Sequence, residues 1–364
     1  MMRRFDVRWL IVCGLLALLL VALVALTVPL FASWQLADFS VTFYRAAQYM
    51  LRGENVYFNS YPHPSNGREY PPYAPIWILY AMVPFGALPL PVAEALRFWI
   101  DIGMLALLGY LSARWSRLHR FGASAMLLLA PWLLTELSTA QLTPFVFIGI
   151  FLSYWGVRRS NAVETAIGLW LMLSKFTIVS LVIFATVVFA WRKGILGRTL
   201  AILGVLIVLA SLWSPTWILD VVKLYTERLA TPRVGDSVLL LPGYPWSQLI
   251  LLAFTSGSLI VYLWRSREIQ PARGIWAVLT TVSLVGALHT FVYDWQLLML
   301  PLALLLRERW GMWITLFLYL YALSWAIFYV GMQVFVPSVQ IIPLIVLIAV
   351  LIRQFAWRPN RGVI

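Results

Sequence analysis

The chain has 364 residues, 62% of them hydrophobic and 11% charged, and its mean hydropathy is +0.86. A soluble chain carries roughly 25% charged residues, so this composition excludes a water-soluble globule and reads as an integral membrane protein. The formal charge of +13 does not form a nucleic-acid face: nineteen of the 27 Lys and Arg sit in seven short clusters between apolar runs, the punctuation expected of the positive-inside rule.

Those clusters are Arg3, Arg4, Arg8; Arg114, Arg117, Arg120; Arg158, Arg159; Arg192, Lys193, Arg198; Arg265, Arg267, Arg273; Arg307, Arg309; and Arg353, Arg358, Arg361. They assign both termini and every cluster to the cytoplasmic side of the plasma membrane, with membrane lipid as surroundings and no nucleic-acid partner. The single cysteine, Cys13, excludes disulfides and a cysteine metal site. The three histidines, His63, His119 and His289, are too dispersed for a histidine cluster, so neither metal nor cofactor is expected.

The first apolar run, residues 10–31, is too long for a signal-peptide core and predicts an uncleaved anchor helix leading outward. A first external loop follows, about residues 32–71. Within it, Asp38, Thr42 and Arg45 fall on one helical face and Phe39, Phe43 and Met50 on a neighbouring apolar stripe. This predicts an amphipathic helix lying in the interface and stopped by Gly53. Asp38 reads equally well as a simple N-cap. Further on, Glu69-Tyr70-Pro71-Pro72 fixes an extended entry into the next run, the bland reading of which is a rigid joint.

Residues 72–113 hold two apolar runs split near Pro84 and Pro91, yet the charge pattern demands one net crossing there. Residues 72–90 are therefore expected to be re-entrant or interfacial, with thirteen full spans as the alternative. Beyond Arg120 the apolar runs come in pairs: 121–138 with 141–157, 161–174 with 176–191, 197–214 with 246–264, 274–290 with 293–306, and 311–330 with 337–353. Each pair leaves and regains the basic side, so polar connections collect on the outer face, the largest at about residues 215–245. Several runs are shorter than the roughly 20 residues of a full span, which lets a polar connection dip inward where it lines a cavity. The expectation is an all-α polytopic bundle, one transmembrane domain over residues 1–364, with about twelve spans plus interfacial or re-entrant helices.

Three of these connections carry polar candidates. Gln141 lies between two apolar runs. Lys175 interrupts about thirty apolar residues and must either reach the interface or meet an anion, because a lysine at membrane depth costs at least a few kcal/mol. His289 and Tyr293 stand one helical turn apart, and Asp294 follows directly; an interfacial aromatic belt is the alternative reading.

Taken in order, Asp38 with Tyr44, Ala46, Ala47 and Gly53; Tyr57; Tyr70-Pro71-Pro72 followed by Pro84 and Pro89; Gln141; Arg158-Arg159; Gly168 to Lys175; Trp191-Arg192; and His289 to Asp294 ahead of Pro301 resemble glycosyltransferase family 87 of the GT-C superfamily. The resemblance spans about residues 35–305 and rests on order and spacing. This chain has Ala140-Gln141 where the family usually has Gly-Gln, and Lys175-Phe176 where Lys-Pro is common.

The resemblance implies a GT-C type fold and transfer of a sugar, mannose or another hexose or pentose, from a polyprenyl-phosphate donor to a lipid or glycan acceptor on the extracytoplasmic face. It implies Asp38 as general base, and chemistry agrees, since the attacking hydroxyl must lose a proton. Lys175 and His289, with Arg45 beside them, would offset the charge growing on the leaving phosphate. Tyr70, Gln141, Tyr293 and Asp294 are the remaining substrate-binding candidates. A single displacement inverts the anomeric centre, whereas a retaining route would want a second carboxylate, for which Asp294 and Glu69 are the candidates. No Asp-x-Asp pair occurs in the external loops, which argues against a metal-bridged nucleotide-sugar donor. The rival from another class is a lipid or glycolipid transporter or flippase, which predicts facing buried charges and discontinuous helices. A purely structural subunit would have no need of Asp38.

Overall fold

A chain this apolar satisfies its backbone groups locally, and helices do so without partners. The computed structural model describes residues 7–32, 36, 38–57, 74–116, 136–230, 272–287 and 292–306, with scattered helical positions between 246 and 261 and between 345 and 350. The protein is all-helical, and no strand occurs among the described residues. The runs at 121–135, 311–330 and 337–344, together with Tyr70, Glu69 and His289, lie outside them.

Helix α1, Val7–Phe31, contains an 18-residue stretch, Gly14–Phe31, of mean hydropathy 2.7. Among the described residues it is the one helix long and apolar enough to cross a membrane, and its leucines are largely exposed. After it come a π-helical turn, Phe39–Tyr44, and α2, Arg45–Leu51, which Gly53 closes in the left-handed region at φ 74°. Helix α3, Ile76–Gly86, has only 11 residues and covers about 16 Å, roughly half a bilayer core. Helix α4, Leu90–Ser116, has 27 residues.

Contacts divide the chain into two units. The first takes residues 1–72, 77–104 and 137–140. Here α1 meets α4 through Phe31 and Phe98, whose rings lie 5.6 Å apart, and through a Trp99 Nε1–H bond to Thr27 Oγ1 at 3.1 Å. The helix that begins at Asp38 packs on the α3–α4 turn. Phe39 meets Phe85 edge-on at 5.6 Å, and a Cβ on Gly86 would stand 2.8 Å from Ala47 Cβ. The apolar stripe of Phe39, Phe43 and Met50 is thus buried in protein instead of being offered to lipid, as the amphipathic pattern alone had implied.

The second unit takes residues 73–76, 105–136 and 141–364. Its core is a helical hairpin of α5, Thr143–Arg159, and α6, Ala162–Met172. Ser160 turns the chain at φ 54°, and the Asn161 side chain caps α6 by accepting from the Val163 and Glu164 amides. Glycines allow the helices to touch: a Cβ on Gly156 would lie 2.6 Å from Thr165 N, and one on Gly149 2.8 Å from Gly168 O.

Helix α7, Ser180–Arg192, turns at Gly194 (φ 68°) into α8, Leu196–Ser211, and α9, Trp217–Ala230, follows within the expected external loop. Helix α10, Arg273–Val285, buries Trp276 between Tyr154 and Phe189, with ring centroids at 5.8 and 5.9 Å. Helix α11, Met299–Leu305, completes the described elements.

Candidate functional site

Between α6 and α7 the chain does not continue as a helix. A 3₁₀ segment, Leu173–Ile178, intervenes, and Lys175 within it leaves helical conformation altogether at φ −143°, ψ 59°. Ser174 Oγ–H bonds to Leu171 O at 2.6 Å, satisfying one carbonyl that the broken helix releases. The break turns Lys175 aside into the unit. There its Nζ donates to Asp294 Oδ1 at 2.6 Å and stands 4.5 Å from the centre of the Tyr293 ring.

Asp294 comes from a second irregular segment, the 3₁₀ turn Val292–Leu298 that leads into α11. Its side chain is 1% exposed and that of Lys175 is 16% exposed. The same Oδ1 accepts from Thr143 Oγ1 at 2.6 Å, at the start of α5. A buried charge pair is tolerated when further hydrogen bonds and an aromatic face complete its surroundings, and here Thr143 and Tyr293 supply both. Gln296, on the same 3₁₀ turn, donates from Nε2 to Glu136 Oε2 at 2.8 Å and to Tyr293 O at 2.9 Å. Three short segments and a helix start thus bring Glu136, Thr143, Lys175, Tyr293, Asp294 and Gln296 into one buried polar centre.

An ammonium has three N–H donors. Asp294 takes one, so the partly exposed Lys175 has capacity for a second, anionic partner. Lys175 thus meets an anion, Asp294, as one of its two readings expected. Gln141 is buried in the same unit, two residues ahead of Thr143, and follows Ala140 at φ 53°.

Asp38 and Arg45 belong to the first unit. Asp38 opens the π-helical turn in helical conformation at φ −78°, ψ −30°, and its carboxyl makes no capping bond to that helix. The N-cap reading is therefore set aside. Arg45 is exposed. Beside it, burial pushes the Tyr44 hydroxyl above its ordinary range while Arg45 pulls it down, and the hydroxyl donates to Leu88 O at 2.7 Å. π-Turns of this kind recur at functional sites because they shift the register of side chains on one face.

The first unit also holds charges that the sequence reading passed over. On α4, Glu94, Arg97 and Asp101 are all buried; Arg97 Nη2 lies 2.9 Å from Asp101 Oδ1, and Glu94 Oε1 accepts from Leu36 N–H at 2.8 Å. Their spacing of three and four in an apolar run was a usable sign of one polar stripe. Glu136 carried a similar sign, standing alone in the run 121–138. Thr143 and Gln296 carried none, because their role comes from packing. Among the described residues no cluster of His, Cys, Asp and Glu is fit to hold a metal.

No protein-family model matches this chain, and no curated protein or solved structure matches it either.

Proposed function

We propose that this chain is a multi-pass plasma-membrane glycosyltransferase, of about twelve spans and GT-C type. It would move a hexose or pentose from a polyprenyl-phosphate donor to a lipid or glycan acceptor on the extracytoplasmic face. The observation that carries this reading is the ammonium of Lys175, fixed at a helix break by a buried carboxylate and retaining donors for an anion. A donor phosphate that leaves with growing negative charge needs such a preorganised cation. The order of residues that resembles glycosyltransferase family 87 supplies the reaction class.

In this reading Asp38 takes the acceptor proton as the hydroxyl attacks the anomeric carbon, the carbon–oxygen bond to phosphate breaks, and the configuration inverts. Asp294 serves as counter-ion and holds Lys175 in place, so the retaining route through Asp294 loses its support. His289, Arg45, Tyr70, Gln141 and Tyr293 remain the proposed binding residues. The test is product analysis by mass spectrometry from a panel of polyprenyl-phosphate sugars with the protein in lipid. Product from the native chain and none from Asp38→Asn supports the proposal, and absence of any glycosyl product across the panel removes it.

The buried Glu94, Arg97 and Asp101 and the broken helix at Lys175 favour a second reading, a lipid or glycolipid transporter. Substrate movement in proteoliposomes without a glycosyl product would select it.

A further inference from the structure

Glu94 has no part in the lysine centre, yet it is wholly buried. Its Oε1 accepts the Leu36 amide at 2.8 Å, across 58 residues of sequence. Leu36 is itself buried, and its carbonyl accepts the Ser40 amide at 2.8 Å, closing the turn that contains Asp38. Both backbone groups of Leu36 are thus taken, one by α4 and one by the turn of Asp38. Farther along, the same helix is tied to the α3–α4 turn by Phe39 on Phe85 and by Tyr44 Oη–H on Leu88 O.

We infer that Glu94 is a positioning residue: by holding the Leu36 amide it fixes the first turn of the Asp38 helix against α4, and with it the direction of the Asp38 carboxyl. The inference rests on the reading of Asp38 as general base. A base held in one orientation spends more of its time within reach of the acceptor hydroxyl, and loss of that hold lowers turnover without touching donor affinity. Glu94 Oε2 has no hydrogen-bond partner among the described residues. Removing the side chain therefore relieves one buried orphan while creating another at Leu36, so the two effects on stability partly offset.

The experiment joins hydrogen–deuterium exchange over peptides covering residues 36–44 with steady-state kinetics, for the native chain, Glu94→Ala and Glu94→Gln in lipid. Glu94→Ala is expected to speed exchange in this segment by about 10-fold and leave α5 to α8 unchanged. It should lower kcat by about 10-fold at constant donor KM, while Glu94→Gln, which keeps an acceptor for the amide, stays within about 3-fold of native in both measures. Unchanged exchange in residues 36–44, or a Gln variant as impaired as the Ala variant, overturns the inference. If Glu94→Ala does not fold, Glu94→Asp takes its place, because it draws the oxygens back by one methylene; native behaviour of that variant overturns the inference equally. Exchange is read without catalysis, so Glu94 is judged even if Asp38→Asn remains active and the base assignment falls.

Discussion

Lys175 and Asp294 are 119 residues apart in sequence, and their charged atoms lie 2.6 Å apart. The pair joins two stretches of irregular backbone that helix packing alone would not hold in register. Removing one partner strands the other charge in apolar surroundings. Asp294→Leu should therefore cost about 3 kcal/mol of stability, and adding Lys175→Met to it should recover much of that loss. A double-mutant cycle from thermal unfolding in detergent measures the coupling, and simple additivity of the two single changes would deny it.

Activity separates the two proposed roles. Asp38→Asn should lower transfer by on the order of 100-fold or more while donor binding persists. Lys175→Ala should instead raise the donor KM more than the acceptor KM. Equal effects of Lys175→Ala on both substrates would identify it as a structural residue only.

The close approach of α5 and α6 offers a test of packing that is independent of function. An added methyl at Gly156 would stand 2.6 Å from Thr165 N, whereas one at Gly197 meets nothing within 4 Å. Gly156→Ala should destabilise by about 1–3 kcal/mol, and Gly197→Ala, inside α8, should be neutral or stabilising by about 0.5 kcal/mol. Melting temperatures of the two variants, compared with the native chain, decide it.

Ala140 sits at φ 53°, a conformation that costs a residue with a Cβ about 1 kcal/mol. Ala140→Gly removes that cost but adds freedom to the unfolded chain, so a gain of up to about 0.5 kcal/mol is expected. A marked loss of stability would mean that the Ala140 methyl, buried here, contributes more by packing than its backbone costs.

Sidedness can be read by labelling. In a Cys13→Ser background, Asp38→Cys and Lys175→Cys should both react with an impermeant maleimide added from the non-cytoplasmic side. Reaction from opposite sides would end the proposal that the two residues serve one reaction.

The sequence made the elements easy to find and their partnerships hard. The runs at 161–174 and 176–191 resolve into α6 and α7 because apolar length and the interrupting Lys175 are local signals. The stop at Gly53 was legible for the same reason, since only a left-handed residue closes that helix cheaply. Lys175 was marked as needing an anion, but Asp294 as that anion was not, because the pairing depends on how the 3₁₀ turn packs onto the start of α5. Phe39 and Phe43 illustrate the opposite failure: an amphipathic stripe says that a face is covered, not whether lipid or protein covers it. Glu94 was overlooked although its spacing from Arg97 and Asp101 marks one polar stripe; spacing alone does not say whether protein covers that stripe.

The connections of the second unit are unequal in stiffness. α5 joins α6 through Ser160 and Asn161, and α7 joins α8 through three residues around Gly194, each locked by a left-handed residue. The join between α6 and α7 runs through six residues of 3₁₀ backbone interrupted at Lys175. Extra residues spliced into either tight corner would force the paired rods apart, while the longer join at Lys175 has no such corner. Bending of this unit would therefore concentrate at that join, where the ion pair between Lys175 and Asp294 is what resists it.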